Sequence, residues 1–117
     1  MPSSSSSSQI ILELYREIVA VTAAMLNSAR AQDWTSVLQF GQAYCEIVER
    51  LRTIGVTEPL DDAERRQKHD MLVQILENDA NTRDLAIPEL ARMSELLGRM
   101  KRQQAALNAY GFKAPVA

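Results

Sequence analysis

The sequence predicts an all-α protein: an antiparallel bundle of three long helices with a fourth, less firmly docked helix at the carboxyl end. Three observations lead there. No segment alternates polar and apolar residues with period two, as a half-buried strand requires. Apolar residues recur instead at steps of three and four through successive stretches. Between those stretches stand residues that stop and start helices: Gln32-Asp33, Gly55 with Pro59, and Ile87-Pro88. A length of 117 residues suggests one domain. A chain of that size buries roughly two-thirds of its unfolded surface, enough for one core without metal or disulfide.

Ser3 to Ser8 is a low-complexity run with nothing apolar to bury, so residues 1–8 are expected as a disordered tail. A serine at its end can cap the first helix, and Ser6-x-x-Gln9 fits a capping box. Helix 1 is predicted over about 9–31, with Ile11, Leu14, Ile18, Val21 and Met25 on one face. Asp33 can cap helix 2, predicted over 34–54, whose broad apolar face holds Val37, Phe40, Tyr44, Ile47, Val48, Leu51 and Ile54. Gly55 stops it by supplying a left-handed terminus. Two long helices with so tight a connection make an antiparallel hairpin.

Thr57 to Leu60 is the one clear loop, and Asp61-x-x-Glu64 then reads as a capping box opening helix 3, predicted over 61–86. That helix carries Leu72, Ile75 and Leu76, then turns polar from Glu77 to Arg83. Asp79 and Arg83 stand four apart with the acid first, the spacing of an ion pair along a helix. Ile87-Pro88 ends helix 3, and Pro88 suits the first turn of helix 4, predicted over 88–109. Its seam is Leu90, Met93, Leu97, Met100 and Leu107, with Gln104 in a seam position and Gly98 as an interruption. One helix cannot bury its own stripe, so this one needs neighbours. Thin and Met-containing, it is expected to dock less firmly than the others. Met93 and Met100 read either as gap-filling core or as an adaptable binding surface. The single domain is expected over 9–111, with 112–117 as a flexible tail.

Composition removes most function classes. Net charge is −2 with both signs spread along the chain, which argues against direct nucleic-acid binding. The basic cluster Arg99, Lys101, Arg102 reads as a solvated face near a helix end or as a contact for an acidic partner. The first apolar stretch is broken by Glu13, Arg16 and Glu17 and lacks a basic lead, so neither a signal peptide nor a membrane span is expected. With Cys45 the only cysteine, no internal disulfide forms and a cytoplasmic location is expected. Cys45 reads as a buried structural residue, with no base nearby to make it a nucleophile. The only histidine, His69, lies among Arg65, Arg66, Lys68 and Asp70 and reads as a solvated face. No Glu-x-x-His pair for a di-metal bundle, no zinc ligand set and no glycine-rich phosphate loop occurs. No cofactor and no catalysis are expected.

The second to fourth helices carry a resemblance. Asp33-Trp34 opens helix 2 and Tyr44 follows ten residues after the tryptophan. Leu76 and Asn78 stand in a Leu-x-Asn setting beside Glu77 and Asp79. Glu95-Leu96-Leu97-Gly98 precedes the closing group Arg102-Gln103 and Asn108-Ala109-Tyr110-Gly111. Over roughly Gln32 to Gly111 the chain resembles the FliT-type flagellar export chaperones. The closing group is the most specific part. Pro88 and the polar run before it suggest a clearer break between helices 3 and 4 than that family needs.

The resemblance implies a cytoplasmic chaperone that binds the filament-cap protein of the flagellum, prevents its early assembly and delivers it to the export ATPase complex. It also implies, for some members, restraint of the master transcription activator of flagellar genes, and a last helix that regulates partner binding. By position, Leu72 and Leu76 belong to the partner-binding face, and Ile75 beside them is a further candidate. Periodicity adds Tyr44 and Val48 of helix 2. Leu90, Met93, Leu97 and Met100 form the regulatory helix seam. Two other readings stay open: a DNA-contacting regulator, which would show strong, salt-steep DNA binding, and a client-free helical assembly factor, which would only self-associate, as a homodimer for example.

Overall fold

A computed structural model describes residues 7–54 and 60–109 (backbone alone at Ser7 and at 90–92). The expected Ser6 cap, Gly55 stop, most of the Thr57 to Leu60 loop, the Tyr110-Gly111 end of the closing group and most of both tails lie outside the described residues. So does the side chain of Leu90.

Four α-helices make up the described chain: α1 (Ser7–Arg30), α2 (Trp34–Ile54), α3 (Asp62–Ala86) and α4 (Leu90–Leu107). Local chemistry explains their ends. Gln32 takes a positive φ of 60°, which reverses the chain between α1 and α2. Asp33 then caps α2, its carboxylate accepting from the Ser36 N–H at 3.2 Å and the Ser36 hydroxyl at 2.7 Å. Asp61 caps α3 in the full reciprocal box, accepting from the Glu64 N–H while its own N–H donates to the Glu64 carboxylate. Between α3 and α4 lies only the 3₁₀ turn Ile87–Glu89, so Pro88 bends the path within one turn and α4 starts two residues later than its position suggests.

The helices form two hairpins laid side by side. α1 packs along both α2 and α3, while α4 touches α2 and α3 over a shorter length. Among the described residues no Cα atom of α2 comes within 8 Å of α3, nor any of α1 within 8 Å of α4. The cross-section therefore runs α1, α2, α4, α3. Two side-chain bonds fix the register of α1 on α3: Ser8 Oγ to Glu64 at 3.3 Å and Asn78 Nδ2 to Thr22 Oγ1 at 3.2 Å. Both span 56 residues of sequence, so the two helices run in the same direction.

Because α1 lies between two neighbours, its buried arc is wider than one stripe. Ile11, Leu14, Ile18 and Met25 are buried, joined by Leu12, Tyr15, Leu26 and Ala29, and Val21 is half-buried. On α2, Val37, Tyr44, Ile47, Val48 and Leu51 are buried, while Phe40 and Ile54 lie half-buried against the core. Cys45 is half-buried, a correction to the buried residue expected: it stands next to Tyr44, which takes the inward position on α2. His69 is exposed.

Candidate functional site

The candidate site is the apolar face that α2 and α3 share beneath α4. α2 contributes Tyr44 and Val48, and α3 contributes Leu72 and Ile75. All four are buried in one continuous core with Met93, Leu96, Met100 and Leu107 of α4. Leu76 is half-buried at its edge. The structure thus brings Tyr44, Val48, Leu72 and Ile75 together, and in the closed bundle they are core.

On α4, Met93 and Met100 are fully buried, so both act as core residues here. Leu97 is only half-buried, and Leu96 takes the inward place. The reason lies on α2. A β-carbon built at Gly41 would stand 2.5 Å from Leu96 Cδ1, closer than real side chains approach. Gly41 leaves a notch in the wall of α2, and Leu96 fills it. A glycine inside a helix costs about 0.5–1 kcal/mol against alanine, and that cost is the sequence feature from which this close approach could have been found.

One side of the polar run of α3 proves to be interior, while Glu77 and Asn81 are exposed. Asn78, Asp79 and Thr82 are buried. The Tyr44 hydroxyl donates to Asp79 Oδ2 at 2.8 Å, and Arg83 Nε donates to Oδ1 at 2.7 Å. The Arg83 side chain reaches partly into solvent and Asp79 does not, so Arg83 carries the charge compensation outward. Burial pushes the Asp79 carboxyl above the ordinary carboxylate range, against the opposing pull of the Arg83 and Tyr44 hydrogen bonds. Burial likewise raises the Tyr44 phenol, with the Asp79 charge adding to it, so the phenol remains a donor. Thr82 Oγ1 bonds back to the Asn78 carbonyl, and Thr22 Oγ1 to that of Ile18. The Tyr44 bond ties α3 to α2 and the bond from Asn78 Nδ2 to Thr22 Oγ1 ties it to α1, neither using α4.

The polar contacts of α4 are poorer. Arg99 Nη1 donates to Gln42 on α2 at 3.0 Å. Arg99 Nε and Gln103 Oε1, one turn apart, are buried and meet no hydrogen-bond partner among the described residues. Each such group costs about 1–3 kcal/mol in lost hydration. Lys101 and Arg102 of the basic cluster are exposed, whereas Arg99 turns toward α2. Among the described residues no group of three or more His, Cys, Asp and Glu could hold a metal ion, and no described helix is long and apolar enough to cross a membrane.

Comparison with known proteins gives one consistent result. The model of the family described as "Flagellar protein FliT" matches residues 12–112. That reaches into α1, beyond the Gln32 to Gly111 span of the motifs. A flagellar protein FliT of Yersinia pestis (strain Pestoides F) is 32% identical over 106 residues, covering 88% of this chain and 86% of its own. One from Yersinia pseudotuberculosis (serotype O:3, strain YPIII) is 29% identical over 103 residues with the same coverage. The crystal structure of flagellar protein FliT from Bordetella bronchiseptica is 54% identical, with a TM-score of 0.65, over 74% of this chain and 98% of that one.

Proposed function

We propose, from the premise that this chain belongs to the FliT family of flagellar proteins, that it is a cytoplasmic export chaperone for the filament-cap protein. In this reading it is a binding protein rather than an enzyme. It holds the cap protein unassembled and hands it to the export ATPase complex. Tyr44, Val48, Leu72, Ile75 and the edge residue Leu76 receive the client. α4, through Leu90, Met93, Leu97 and Met100 with Leu96 added, closes over them and regulates access. Restraint of the flagellar master transcription activator is a further role of the same regulated surface.

One observation supports this most: the apolar α2–α3 face is covered by the helix with the weakest attachments. α1, α2 and α3 are joined by buried hydrogen bonds that do not involve α4. α4 adds four fully buried side chains, but it packs over a shorter length than α1 and leaves two buried polar groups without a partner among the described residues. An amphipathic client segment competes for the same face.

The test is co-elution of the full chain with the carboxy-terminal part of a filament-cap protein. Leu72→Ala with Leu76→Ala should weaken binding more than it lowers the melting temperature. A folded double variant that binds normally rejects the site. Self-association with no cap-protein binding favours the client-free bundle instead.

A further inference from the structure

α3 keeps apolar residues on its outer side as well as its inner one. Leu72, Ile75 and Ala86 are buried, yet Val73 is 46% exposed. Ile87, which carries the helical path one residue further in the αR conformation, is 57% exposed. Leu76 and Ala80 between them are half-buried. Val73, Leu76, Ala80 and Ile87 follow one another at steps of three, four and seven, so they form one stripe along the helix. The stripe is turned away from α1: Asn78, which bonds Thr22 of α1, stands five residues after Val73, about 140° round the helix. α4 adjoins α3 but leaves Val73 and Ile87 in solvent.

A row of acids runs beside the stripe. Asp70, Glu77 and Asp84 are exposed and stand seven residues apart, each three residues before Val73, Ala80 and Ile87 in turn. None of the ion pairs among the described residues uses them. Other exposed acids of the chain pair with an arginine one turn along, as Glu13 does with Arg16 and Glu49 with Arg52. Around Glu77 and Asp84 no basic residue stands three or four positions away on either side. Arg83, the nearest cation in sequence, turns inward to Asp79.

We infer that this outer stripe of α3 is a second protein-binding surface. Its occupant is an amphipathic helix of another protein, with lysine or arginine at seven-residue spacing beside its apolar row. The two apolar rows pack together, and each acid meets one cation of the partner, as flanking charges do between paired helices. The charges also choose the occupant. Two copies of this chain joined antiparallel through the stripe would set the acid rows against each other. Lys101 and Arg102 of α4 are exposed but flank no open apolar row, because Met93, Leu96 and Met100 are buried. The partner is therefore a different protein. The stripe is open while α4 is closed, so this inference does not rest on the reading of the covered face.

The probes are two synthetic helical peptides with one leucine row in common, the first flanked by lysine and the second by glutamate. Their binding to the full chain is followed by fluorescence anisotropy. The lysine peptide should bind at least tenfold more tightly than the glutamate peptide. Its affinity should fall at least fivefold as salt is raised from about 0.05 M to about 0.5 M. Asp70→Asn, Glu77→Gln and Asp84→Asn together should cost it at least tenfold and remove most of the salt dependence. Val73→Ser with Ile87→Ser should also cost at least tenfold, whereas Leu85→Ser, an exposed leucine off the stripe, should cost less than twofold.

Equal binding of the two peptides overturns the inference, and so does lysine-peptide binding that either set of stripe substitutions leaves unaltered. A dimer of the parent, seen by sedimentation, that Val73→Ser with Ile87→Ser dissolves overturns it as well, because a second copy then occupies the stripe. If that pair does not fold, Val73→Ser alone should still weaken the lysine peptide at least threefold, and no loss there overturns the inference.

Discussion

The phenol of Tyr44 and the carboxylate of Asp79 meet at 2.8 Å across the middle of the bundle, joining two helices whose backbones nowhere approach within 8 Å among the described residues. The bond acts as a strut: it holds α2 and α3 at the spacing α4 occupies. Tyr44→Phe keeps the ring and removes the donor, leaving Asp79 with Arg83 alone. Stability to urea should fall by about 1–3 kcal/mol. A loss under about half a kcal/mol would mean that the hydroxyl is not holding the carboxylate.

The same pair gives a pH dependence of defined sign. Burial raises the Asp79 carboxyl above its unfolded value. Its contribution to stability is therefore fully present below the unfolded pKa, about 3.9. It is lost as pH rises through the higher folded value. Asp79→Asn removes the titration. The stability of the parent relative to Asp79→Asn should increase as pH is lowered from 7 toward 4, measured by denaturation at each pH. A change in the opposite direction would show that Arg83 and Tyr44 outweigh burial.

Core and surface should separate cleanly on α1 and α3. Ile18 is fully buried and Leu14 nearly so, whereas Leu85 is 39% exposed. Ile18→Ala or Leu14→Ala should cost about 2–5 kcal/mol, and Leu85→Ala within about half a kcal/mol. Comparable losses at all three would mean that Leu85 is covered in solution, as a self-associating bundle requires; sedimentation would then show the dimer.

What could be read from the residues was local. The Asp61 and Glu64 box, the Asp33 cap and the Asp79–Arg83 pair each depend on residues three or four apart, and each forms. The burial of Asp79 depends on Tyr44, 35 positions away, and nothing in a polar run signals an interior partner at that distance. The α4 seam shows the same limit. Counting in heptads selects Leu97, while the inward place belongs to Leu96, which packs directly on Gly41 of α2, an element distant in sequence. Of the candidate binding residues, Tyr44, Val48, Leu72 and Ile75 come together as a helical stripe predicts. Their being covered rather than open follows from how α4 folds back, which the short Ile87–Glu89 turn decides.

The last prediction concerns how readily α4 opens. Its buried row holds Met93, Leu96, Met100 and Leu107, but α4 packs over a shorter length than α1 and leaves Arg99 Nε and Gln103 Oε1 without partners among the described residues. Its amides should therefore exchange faster than those of α1, by local opening rather than global unfolding. Leu96→Ala with Met100→Ala should increase that exchange and raise affinity for a flagellar client, because fewer molecules are self-covered. Gln103→Leu should act in reverse: it removes a dehydrated acceptor, slows α4 exchange and lowers client affinity by roughly fivefold or more, a change of about 1 kcal/mol. Opposite movements of exchange and affinity in the two variants are the signature of a cover in competition with a client. If α4 is as protected as α1 in the parent, or if both variants bind the cap protein as the parent does, the helix is a fixed part of the core and the surface beneath it is not a binding site.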